Sequence, residues 1–127
     1  MKNPVTWVFF AYFVAFLLFV RHAWNDNIYH GKVATVNGES RTYQAAVIFY
    51  YLKFRAIPDK VEKLLDKDYH HISKFIPTID PWENEYQYVY LGKNKFKIIS
   101  LGSDGKEGGK GTAKDLIYNF KVNTKDN

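Results

Sequence analysis

The chain has 127 residues, 46% of them hydrophobic and 18% aromatic, with a formal net charge of +5 and no cysteine. That is enough for one small domain beside an apolar N-terminal segment, and it excludes disulfides and thiolate metal sites. Residues 91–127 hold eight lysines against four acids but no arginine, and the lysines alternate with strand residues, which reads as a solvated face rather than a nucleic-acid surface.

Between Lys2 and Arg21 no residue is charged, and Val5 to Val20 is apolar or aromatic except for Thr6. A helix over these residues spans about 24 Å, and adding Ala23 and Trp24 brings it close to the thickness of a hydrocarbon core. Trp7, Tyr12 and Trp24 are placed to sit at the interfaces. Residues 1–24 therefore read as an uncleaved, single-pass membrane anchor. A cleaved signal peptide would want small residues at its junction, which Arg21-His22-Ala23-Trp24 does not supply, and a buried core helix would show a polar face. Lys2 and Arg21 flank the run almost evenly, so charge alone leaves its orientation open.

Residues 25–39 are polar and contain Gly31 and Gly38, which predicts a linker or a weakened helix. Ser40 is a candidate cap for a strong helix in which Tyr43, Ala46, Val47, Tyr50, Tyr51 and Phe54 line one apolar face. Pro58 is expected to stop that helix and open a short second one through Val61, Leu64 and Leu65, ending near Asp68. Tyr69 to Ile79 connects. From Tyr86 the pattern alternates, with Tyr86, Tyr88 and Tyr90 on one face and Gln87, Val89 and Leu91 on the other. Gly92 to Lys95 is of hairpin length, and Phe96 to Leu101 continues as the partner strand. Lys93, Lys95 and Lys97 are expected on an outer strand, where they would discourage edge pairing. Asp115 to Phe120 adds a short strand or packs beneath the preceding loop, and residues 123–127 form a disordered tail. The fold class is α+β: a helix laid on a small antiparallel sheet over residues 40–122.

The loop between Leu101 and Asp115 uses five of the eight glycines and holds Asp104 and Asp115. Glycine lets a backbone wrap tightly and turn carbonyls inward, as a hard cation with six to eight oxygen ligands requires. Lys106, Lys110 and Lys114 supply the alternative, an ammonium acting as built-in counter-ion.

Asp80-Pro81-Trp82 with Asn84 and Tyr86-Gln87-Tyr88, then Ser100-Leu101-Gly102-Ser103-Asp104-Gly105 with Gly108, Gly109 and Gly111, resemble the C-terminal region of the major pseudopilins of type II secretion systems. Tyr50-Tyr51-Leu52-Lys53-Phe54 followed by Ile57-Pro58 is similar to a further passage of that family, with its glycine replaced. Glu83 and Glu85 stand where the family has glycine and proline. The resemblance covers about two-thirds of the chain, from Ser40 onward. It implies a pseudopilin-like domain in the periplasm, tethered to the bacterial inner membrane and partnered by secretion-apparatus or pseudopilin subunits. It also implies a calcium site built from Asp104, Asp115, the carbonyl of Leu101 and the oxygens of Ser103. The family's leader and the glutamate that opens its apolar helix have no counterpart here, since no glutamate precedes Glu39. This departure keeps a second reading open, a free-standing membrane-tethered binding module of the same fold.

No constellation supports an enzyme or a small-molecule substrate. His70-His71 are adjacent, so on a regular element they point apart and chelate poorly. Asp80 with Glu83 and Glu85 could form a carboxylate pair, but Asp before Pro is more simply a turn former. The tyrosines could stack on bases or sugars, yet such a ladder more often packs a sheet against a helix. Gly108 to Thr112 lacks the glycine spacing and the following apolar helix of a phosphate loop.

Overall fold

A computed structural model describes residues 4–66 and 73–123. The chain divides into two units, Met1–Gly31 and Lys32–Asn127.

In the first unit the described residues are helical, part of α1, Pro4–Phe54. Their apolar side chains face outward, Phe9, Tyr12 and Phe19 being about 70% exposed. α1 is long and apolar enough to cross a membrane, and none of its most apolar stretch is buried within the protein.

In the second unit α1 continues without a break through Lys32 to Phe54, so residues 25–39 are helix and not linker, and Ser40 caps nothing. The reason lies in packing. Val36 and Ser40 are fully buried, and together with Tyr43, Ala46 and Val47 they carry the apolar stripe back by a further two turns. Each glycine in a helix interior costs only about 1 kcal/mol, less than burial of one large aliphatic side chain returns. The Ser40 hydroxyl is satisfied locally, donating to the Asn37 carbonyl at 2.8 Å.

The helix ends at Arg55, whose φ of +55° lets its N–H close onto the Tyr51 carbonyl at 2.8 Å. Pro58 does not open the second helix. α2 spans Glu62–Leu65, four residues on. Pro58 is fully buried, and its carbonyl, which a helix beginning there would need, instead accepts the Tyr88 hydroxyl at 2.7 Å.

Three strands follow: β1, Gln87–Gly92; β2, Lys95–Ser100; and β3, Leu116–Lys121. They pair antiparallel in the order β1-β2-β3. Lys93 and Asn94, at φ +49° and +61°, make the two-residue turn whose twist suits a hairpin. β3 closes the far side of β2, so Lys95 and Lys97 lie on the central strand and Lys93 in the turn. They guard no edge.

Tyr88, Phe96, Ile98, Leu116, Tyr118 and Phe120 line the sheet's inner face, against Val36, Tyr43, Ala46 and Val47 of α1, Leu64 of α2 and Ile76. Tyr88, Phe96 and Phe120 stack in series, with ring centroids 5.5 and 5.2 Å apart. The described fold is thus α+β. Of the expected apolar face only Phe54 departs, half exposed, with its ring 4.5 Å from that of Tyr50.

Candidate functional site

The glycine-rich loop is assembled from two short helical turns that lie together. Leaving β2 through the buried Ser100, the chain forms one 3-10 turn over Gly102–Asp104 and a second over Gly111–Ala113, before β3 begins. Gly102 sits at φ +68°, and a Cβ there would lie 2.8 Å from the Lys114 carbonyl oxygen and 3.1 Å from that of Thr112. Gly109, at φ +85°, faces the Ala113 carbonyl with no room for a side chain. Only glycine satisfies both the handedness and the clearance.

Within this frame Ser103 donates its hydroxyl to that of Thr112 at 3.2 Å, pinning one turn to the other. Asp104, exposed, accepts the Lys106 N–H on Oδ1 at 3.1 Å. Asp115 accepts the Gly108 N–H on Oδ2 at 2.9 Å, and its own N–H returns to the Gly108 carbonyl at 3.2 Å. Its other oxygen, Oδ1, is buried and has no hydrogen-bond partner. A buried carboxylate oxygen without a donor loses its hydration uncompensated, so this atom calls for a cation or a water. No ion pair joins Lys106, Lys110 or Lys114 to either aspartate among the described residues. Leu101 is half-buried at the entrance of the first turn.

Sequence reasoning missed what holds the loop's base. Asp80 is 4% exposed, and its Oδ1 accepts the N–H groups of Trp82 and Asn84, both at 2.9 Å. Its Oδ2 accepts the Ser100 hydroxyl at 2.5 Å. Asn84 then donates its amide to the Gly102 carbonyl at 2.8 Å, while its Oδ1 lies where a side chain on Gly105 would stand. The Asp-Pro-Trp turn is therefore the footing of the glycine loop, and Asp80 is committed to structure. The signal was present as an Asp with Asn four residues on, the pattern of a side chain closing a turn on its own backbone. Glu83 and Glu85 are exposed, and Glu83 holds φ +69° in the position where the resembled family has glycine.

Of the tyrosine ladder, Tyr86 and Tyr88 are packing, while Tyr90 is exposed. Tyr86 meets Tyr43 edge-on at 5.8 Å and donates to Glu39 Oε2. Burial pushes the Tyr86 hydroxyl well above its ordinary pKa, and the Glu39 carboxylate adds to the shift. Tyr88 is raised chiefly by burial as well. Trp82 is half-buried, with the Lys32 ammonium 5.5 Å from its ring centroid. His70 and His71 lie outside the described residues. Among the described residues no three His, Cys, Asp or Glu side chains converge, so a cation at the loop would draw on carbonyl and hydroxyl oxygens beside its two aspartates.

A family model described as protein G of the type II secretion system matches residues 26–119. The type II secretion system core protein G of Pseudomonas aeruginosa is 34% identical over 99 residues, covering 67% of this chain and 69% of that protein. The corresponding protein of Vibrio cholerae is 50% identical over 38 residues, 29% of this chain and 26% of its own length.

Proposed function

This chain belongs to the type II secretion system protein G family, and we propose that it works there as a structural, non-enzymatic subunit with a calcium-stabilised domain. It is a single-pass inner-membrane protein, held by the apolar part of α1, with the domain from Lys32 onward in the periplasm. Its partners are other subunits of the same apparatus.

The observation that carries the calcium reading is the orphaned Asp115 Oδ1, buried in a loop whose glycines bring backbone carbonyls close together. Asp115 and Asp104 supply the charge, and the Leu101 carbonyl and the Ser103 oxygens complete the set. Bound calcium would contribute two positive charges to a site of two carboxylates, in place of the hydration that burial removes. The polypeptide's own share is to present the oxygens. The Asp80–Ser100 bond fixes the end of β2, Asn84 holds Gly102, and the Ser103–Thr112 contact keeps the two turns together.

Two experiments test the reading separately. Wild-type protein and Asp115→Asn are melted in calcium and in chelator. Calcium raises the wild-type Tm, by mass action worth about 2.7 kcal/mol at a hundredfold excess over Kd, and leaves Asp115→Asn unmoved. A wild type indifferent to both conditions refutes the calcium site. The structural role is checked by deleting the gene and following export of secreted enzymes, then restoring it. Unchanged export in the deletion strain would refute a role in secretion while leaving the calcium result intact.

A further inference from the structure

The register of the sheet gathers the C-terminal lysines onto one surface. The face turned away from α1 runs in three rows: Gln87–Ile99–Ile117, whose middle residue Ile99 is covered at 8% exposure, then Val89–Lys97–Asn119 and Gly92–Lys95–Lys121, which lie more open. It carries three lysines, no acid and no aromatic residue. Lys95 and Lys121 are direct partners across β2 and β3, which sets their Cβ atoms about 5 Å apart. Lys93 adds a fourth ammonium from the adjoining turn, on backbone held at φ +49°. Like charges directly opposite each other destabilise an antiparallel pair, and among the described residues no carboxylate pairs with any of the four. Between them lie apolar groups in contact with solvent: Ile117 is 50% exposed and Val89 partly so.

We propose that this outer sheet face is a docking surface for an acidic protein partner, one that presents carboxylates between apolar side chains at strand-like spacing. Charge complementarity names the sign of the partner, and the rows name its kind. Asn119 and Gln87 place amide donors and acceptors at fixed positions beside the lysines and aliphatic groups, which suits a partner with fixed groups of its own. A lipid surface would be met by aromatic residues at its interface, and this face has none. Strand pairing, charge and exposure carry the inference, so it stands or falls apart from the calcium reading and the secretion role.

The test uses the full chain in nanodiscs of uncharged lipid. It is titrated with a fluorescent peptide repeating Glu-Thr-Ile-Thr, which sets Glu and Ile alternately on one face of an extended strand, with a control repeating Gln-Thr-Ile-Thr, and with phosphatidylglycerol vesicles. The acidic peptide binds and the control does not. Binding weakens at least about tenfold when Lys95, Lys97 and Lys121 are replaced by Gln, and it fades as salt shortens the Debye length. Lys121→Glu abolishes binding yet raises the Tm of the free protein by about 1–5 °C, because Lys95 then faces an opposite charge. Equal binding of both peptides, or of neither, overturns the proposal. Binding to phosphatidylglycerol alone overturns it in favour of a lipid partner. A lowered Tm in Lys121→Glu refutes the like-charge pair on which it stands.

Discussion

Replacing Asp80 by Ala should cost more than any other single polar truncation in the domain. Its carboxylate accepts three hydrogen bonds, from the Trp82 and Asn84 N–H groups and the Ser100 hydroxyl, at 4% exposure. Trp82 and Asn84 are half-buried, so water can reach their N–H groups after truncation, and each loss is worth about 1 kcal/mol. Ser100 is fully buried, and its stranded hydroxyl costs a further 1–3 kcal/mol or so. The sum is about 3–5 kcal/mol, which for a domain of this size lowers Tm by at least about 12 °C. Asp80→Asn keeps Oδ1 as acceptor for both N–H groups and should cost roughly a third as much. Near-ultraviolet circular dichroism melts of the two variants give the comparison. The Asp80→Ala/Ser100→Ala double variant should lose less than the two singles added together, since they share one bond. A loss below about 1 kcal/mol in Asp80→Ala would show that the turn holds without its carboxylate, and that the loop has some other footing.

Arg55→Gly and Glu83→Gly should each stabilise the domain by up to about 1 kcal/mol in denaturant titrations, because both residues hold positive φ, at +55° and +69°, where an L side chain costs about 1–2 kcal/mol and glycine recovers most of it. Gly102→Ala should destabilise by more than about 2 kcal/mol and expose the loop to protease, since its Cβ would press on the Lys114 carbonyl at 2.8 Å on left-handed backbone. Alkaline pH should unfold the domain from about pH 10 upward. Tyr86 and Tyr88 have raised folded-state pKa values, so the folded protein keeps protons that the unfolded chain releases, and stability present below the unfolded value falls by about 1.4 kcal/mol per pH unit for each group above it. Loss of circular dichroism before tyrosinate absorbance is complete checks this, and a native spectrum that persists after all ten tyrosines have ionised would contradict it.

Much was legible in the linear pattern. The uncharged run from Val5 to Val20, the stripe through Tyr43, Ala46 and Val47, the alternation after Tyr86 and the glycines around Asp104 are local signals. Each follows from a period or a backbone allowance that neighbours in sequence impose on one another. What failed was local reasoning about breaks. Ser40 and Pro58 are residues that punctuate chains, yet α1 runs past the first and no helix starts at the second, while at Gly31 and Gly38 the helical one of the two readings holds. Burial of Val36 and Ser40, and the Tyr88 hydroxyl on the Pro58 carbonyl, outweigh propensities worth about 1 kcal/mol. The rest was decided by pairs distant in sequence: β3 beside β2, Lys121 opposite Lys95, Asp80 on Ser100, Asn84 on Gly102. A sequence states which residues can make such contacts. Only the folded chain fixes which ones meet, because strand register and turn closure are set by the whole core at once, and a shift of one residue would turn every lysine of the outer face inward.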